Sequence, residues 1–162
     1  MILCHSHREI NKSLFEVGSQ IIESSSIDKL HELRQSIFET ICAEFQIDEK
    51  NPEIGLNSFH KLVKNLDDTE LNQKRVNVIQ KISNDKKLVE LIYSSFEKDI
   101  EELLGKDLLV QKTINLVIQT PNDLNPTIPH RDAPPNSYFE LVIWIPLVNC
   151  RDTKSMYTVN LK

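Results

Sequence analysis

Between residues 27 and 104 the apolar positions recur at three- and four-residue steps. In SSIDKLHELRQSIFETICAEF, the residues Ile27, Leu30, Leu33, Ile37, Ile41 and Phe45 fall on one stripe, which predicts a helix over 27–46. Ser26 stands at its N-cap position and Asp28 in its first turn, where a side-chain oxygen and a negative charge suit the unpaired amides. GLNSFHKLVKNL repeats the pattern with Leu56, Phe59, Leu62, Val63 and Leu66, after a loop expected at DEKNPEIG. DDTELNQKRVNVIQKIS offers Leu71, Val78, Ile79 and Ile82 behind a run of acids. NDKKLVELIYSSFEKDIEELLG adds Leu88, Leu91, Ile92, Phe96, Ile100 and Leu103, with Gly105 at the position that ends a helix. Some four helices are expected over this section.

Past Gly105 the period drops from 3.6 to 2. Ile114, Leu116 and Ile118 alternate with Thr113, Asn115, Val117 and Gln119, the signature of a strand with one apolar face. SYFELVIWIPLV predicts a longer strand over 139–147, apolar on nearly both faces and so suited to burial between layers. SMYTVN is a third candidate, DLLVQ a fourth, and Ser19–Ser24 an early short one after a Gly18 turn. The pattern predicts an α+β protein, mainly helical over 1–105 and strand-bearing over 106–162.

Composition narrows the class. A chain of 162 residues with 40% hydrophobic and 27% charged residues has the make-up of one globular domain with a real core. The net charge of -5 argues against a nucleic-acid or anionic-membrane surface. Cys4, Cys42 and Cys150 are scattered, which fits free thiols in a reducing compartment. The apolar run at the start is too short for a secretory signal, and no stretch is long enough to span a bilayer. The expectation is a cytoplasmic protein with a small-molecule partner, no nucleic acid and no membrane.

The candidate chemistry lies in IPHRDAPPNSYFELVIWIPL, residues 128–147. His130 and Asp132 are two apart, and in an extended chain residues i and i+2 point to the same side. Pro129 biases its predecessor toward that conformation. Two readings stand on the residues alone. The pair supplies two ligands of a His-carboxylate-His iron site, or it is a polar turn in which Asp132 caps backbone amides. Asn115 and Gln119 divide the same way, as cavity-lining groups or as edge polars facing solvent.

With these features in view, TINLVIQTPNDLNPTIPHRDAPPNSYFELVIWIPLVNCRDTKSMYTV resembles the first half of the double-stranded β-helix, or jelly roll, of Fe(II)/2-oxoglutarate-dependent oxygenases. The likeness is to the phytanoyl-CoA-dioxygenase-like branch and to members found in bacterial carbohydrate-biosynthesis clusters. It is carried by the strand ending in Gln119, the P-H-R-D-x-P-P-x-S turn, the W-x-P-L strand and the S-M-Y strand. The resemblance implies a helical section packed on that sheet, with His130 and Asp132 as the first two metal ligands. It also implies Fe(II) and 2-oxoglutarate as cofactors, with Asn115 and Gln119 near co-substrate or substrate, and hydroxylase-type chemistry on a small metabolite.

The family pattern also requires a later histidine and a basic residue for the co-substrate, and the 30 residues after Asp132 hold no histidine. His31 and His60 fall within helical patterns, and His5 and His7 lie near the start of the chain. About four strands are foreseen where a closed jelly roll takes eight. The expectation is therefore an incomplete jelly roll in a piece of a longer oxygenase. The rival expectation is a non-catalytic helical and β interaction module in which His130-Arg131-Asp132 is a structural turn. A cupin-like domain using the histidine for another metal ranks lower, because it would need more corner glycines than three.

Overall fold

The computed structural model describes residues 18–121 and 142–150. Its helices are α1 (Ile27–Phe45), α2 (Pro52–Asn57), α3 (Phe59–Leu62), α4 (Asp68–Ser83) and α5 (Lys86–Leu104). α1 is the central element and packs against α5, α4 and α2. It buries Leu33, Ile37, Phe38, Ile41 and Phe45. α4 meets them with Val78 and Ile82, α5 with Leu88 and Leu91, and the short helices with Leu56 and Phe59. Each such side chain contributes about 1.5–3 kcal/mol through removal from water. Phe45 and Phe59 meet edge to face, with ring centroids 5.0 Å apart and planes at 89°, a favourable use of the ring quadrupoles.

The helix ends follow from local chemistry. Asn51 accepts hydrogen bonds from the Glu53 and Ile54 amides ahead of Pro52, so a predicted loop becomes the start of α2. Asp67 caps α4 by accepting from Glu70, and Asp85 caps α5 by accepting from Lys87. The Ser26 hydroxyl makes no capping bond. Its neighbour Ser24 instead accepts from the Ser26 amide at 3.0 Å and donates to the Ser95 carbonyl at 2.7 Å. α1 stops where Gln46 turns left-handed at φ 56°, and α5 stops at Gly105, φ 84°, whose amide donates to Glu101 O. The expected helix over 55–66 is split at Ser58, giving α2 and α3 in place of one element.

The α+β expectation is overturned. No strand occurs among the described residues, and with it goes the incomplete jelly roll. An extended segment becomes a strand only when its amides and carbonyls pair with a neighbouring chain, and here helix side chains take that role. Ile114 O accepts from Ser83 Oγ at 2.8 Å, Ile118 O accepts from Arg75 Nη2, and Leu147 O accepts from Arg34 Nε at 2.9 Å. The segment Ser19–Ser24 is likewise no strand; its Ser24 is tied to α5. In DLLVQ, Leu109 and Val110 are exposed. The part of 139–147 that is described is not sandwiched between layers: Val142, Ile143 and Trp144 are exposed, and Ile145 and Leu147 only partly covered. SMYTVN lies outside the described residues.

Candidate functional site

Residues 113–119 keep their predicted alternation without a sheet. Ile118 is buried and Ile114 and Leu116 pack against the core, while Asn115, Val117 and Gln119 face outward. The alternation reflects an apolar edge laid on the helices, with α4 holding it at two carbonyls four residues apart. Asn115 and Gln119 therefore share one exposed face, as their spacing predicts. His130 and Asp132 lie outside the described residues. His31 is exposed on α1 and His60 half-buried on α3. Among the described residues no group of three His, Cys, Asp or Glu side chains could hold a metal ion. The described side chains thus do not by themselves fit an iron site.

Residues 142–150 are fastened by a second polar arrangement centred on Glu53. Glu53 Oε2 accepts from Arg34 Nη1 at 2.6 Å, and Oε1 accepts from Asn149 Nδ2 at 2.9 Å and Asn57 Nδ2 at 3.0 Å. Asn57 Oδ1 accepts from the Asn149 amide at 2.9 Å. The Arg34 hydrogen bond, followed by that from Asn149, holds the Glu53 carboxyl below the usual carboxylate range. Beside this arrangement His31, Glu32, Arg34, Gln35 and Pro52 line a shallow depression of about 470 Å³. Three of its polar side chains are engaged with protein: Arg34 with Glu53, Glu32 with Lys87 at 2.8 Å, and Gln35 by donating to Glu39 at 2.8 Å.

A third polar group joins α1 to α4. Glu44 accepts from Lys81 Nζ at 2.6 Å and from Asn77 Nδ2 at 2.7 Å, and these bonds lower its carboxyl from the ordinary value. Lys74 Nζ donates to the Glu44 carbonyl at 3.1 Å. Burial raises the Cys42 thiol, whose Sγ lies 3.7 Å from Glu49 O, so this cysteine is kept as a thiol rather than a nucleophilic thiolate.

Arg34 and Arg75, which fasten the covering segments, carry a signal in the sequence. Arg34 falls on the stripe of Leu30, Ile37 and Ile41, and Arg75 on that of Leu71, Val78 and Ile82. A charged side chain at an apolar stripe position must find a polar partner at the core edge. Here the partners are backbone carbonyls of the segments that cover the helices. No helix of the described residues is long and apolar enough to cross a membrane. Comparison with protein-family models, with curated proteins and with solved structures finds no match to this chain.

Proposed function

We propose that this chain belongs to an Fe(II)- and 2-oxoglutarate-dependent oxygenase of the hydroxylase type. Its substrate would be a small metabolite, such as a carbohydrate-pathway intermediate in the cytoplasm. His130 and Asp132 supply two metal ligands, and Asn115 and Gln119 serve co-substrate or substrate. The support is the sequence around P-H-R-D and W-x-P-L; the exposed face that Asn115 and Gln119 share suits solvent-facing polars as well as a ligand-facing pair. The described residues fold as helices with segments laid on them and supply no jelly-roll strand, so the reading stands on the sequence alone.

The test is anaerobic titration of the chain with Fe(II), read as metal bound per chain, alongside His130→Ala and Asp132→Ala. The proposal expects weak binding by the parent and none by either variant, since two ligands from a cage of three leave a low-affinity site. Binding that survives Asp132→Ala overturns it. A parent chain with no response to Fe(II) favours the second reading, a non-catalytic interaction module. That reading takes the chain as what its described residues form, helices with extended segments laid on them.

A further inference from the structure

We infer that residues 142–150 form a detachable strap, clipped onto the helices through the charge of Glu53, and that loss of this charge releases the strap while the helices stay folded. The inference is independent of any metal site. Its first ground is the shallow burial of the segment. None of residues 142–150 is fully buried, and Ile145, Leu147 and Val148 only lean on a cluster whose buried members come almost wholly from the helices. A segment with so little buried apolar surface opens at a lower free energy than the fold beneath it.

The second ground is the chemistry of the clip. Both Glu53 oxygens accept, one from Arg34 and the other from Asn149 and Asn57. Arg34 turns a second nitrogen, Nε, to Leu147 O, and Asn57 turns its oxygen to the Asn149 amide. The two strap residues, Leu147 and Asn149, are thus held by Glu53 and by the two side chains that it orients, Arg34 and Asn57. An amide in place of the carboxylate would set an N–H donor against either Arg34 or the two asparagine donors, so the arrangement cannot be rebuilt with glutamine. Side-chain exposures of 21% for Arg34 and 50% for Glu53 leave the clip open to water, which makes its bonds reversible.

Acid should act in the same sense. The Glu53 carboxyl is lowered by Arg34 and Asn149, so its contribution is present at neutral pH and disappears as pH falls through and below the usual carboxylate range. The surrounding charged and titratable groups are Arg34 on α1, with His31 and Glu32 along the same depression. In the loop before α2, Asp48 pairs with Lys50 at 2.9 Å, while Glu49 Oε1 accepts from the Lys50 and Asn51 amides. Arg34 is the one that touches the carboxylate through its Nη1.

The experiment is amide hydrogen exchange at neutral pH on the full chain, comparing the parent with Glu53→Gln, Arg34→Gln and the double variant. The expected result is exchange of the Asn149 amide, which donates to Asn57 Oδ1, at least about tenfold faster in each single variant, as loss of a charge-assisted hydrogen bond implies. α1 and α4 should be unchanged, and the double variant should open no further than the singles. Emission from Trp144, the sole tryptophan, should change in parallel. Unchanged exchange of the Asn149 amide in Glu53→Gln overturns the inference. So does acceleration of α1 and α4 by the same factor, which would make Glu53 a support of the whole fold.

Discussion

Gly55 on α2 lies directly against the ring of Phe38 on α1: a Cβ at Gly55 would overlap both Cε2 and Cζ of that ring. Phe38 is 2% exposed and surrounded by core, so its ring cannot swing aside. The contact lets a six-residue helix, too short to be stable alone, pack flush on α1. Gly55→Ala improves helix propensity by about 1 kcal/mol. The steric conflict opposes this at about 1–3 kcal/mol. The expected outcome is net destabilisation, read as a lower midpoint in urea unfolding. A variant as stable as the parent would show that α2 stands off from Phe38.

The face assignment of residues 113–119 is open to a paired test. Ile118 is 8% exposed and belongs to the core cluster, so Ile118→Ala should cost about 2–4 kcal/mol. Asn115 faces solvent, and Asn115→Ala should stay within about 0.5 kcal/mol of the parent. Denaturant unfolding of both variants checks the register. A shift of one residue would exchange the two results, because alternate side chains lie on opposite sides of an extended chain.

Loss of the Asn51 cap should weaken the same corner of the fold. Its side chain accepts from two amides of the first turn of α2, and Asn51→Ala is expected to cost about 1 kcal/mol. Asn51→Asp retains the Oδ1 acceptor that serves both amides and adds charge at the helix start, so it should restore the unfolding midpoint. Failure of the aspartate to rescue would place the effect outside capping.

The pH dependence of stability has a definite sign at Glu44. Hydrogen bonds from Lys81 and then Asn77 lower its carboxyl in the folded state. The contribution is therefore present above the unfolded carboxylate value and lost as pH falls through the folded one. Stability measured by urea midpoint should decline on acidification from neutral pH. Glu44→Gln should be less stable at neutral pH and show a shallower decline. Parallel curves for the two proteins would remove Glu44 from the acid response.

Local periodicity determined the helical part of this protein. Leu33, Ile37, Ile41 and Phe45, or Leu88 and Leu91, can hide from water together only on one face of a helix. The starts at Asp67 and Asp85 and the stop at Gly105 follow from side chains and backbone within a few residues. Phe38, beside Ile37, escapes the simple spacing because the centre of α1 is covered by α5, α4 and α2, which widens its buried stripe. The alternation at 114–118 also foretold which side chains face inward, and that Asn115 and Gln119 share the other side. The motif at His130 and Asp132 was legible as a spacing, yet those residues lie outside the described part, and a spacing cannot supply a third ligand.

Tertiary structure decided what the extended segments pair with. A run such as INLVIQ records only that alternate residues seek an apolar surface, and a sheet or a helix pair can offer one. Here Ser83 and Arg75 on α4 and Arg34 on α1 reach the carbonyls that a neighbouring strand would otherwise have taken. Those partners stand 31, 43 and 113 residues away in the chain. Such pairings depend on how α1 and α4 are oriented by the core, which no local pattern encodes. The same holds for the Glu53 arrangement, whose Asn149 donor lies 96 residues further on.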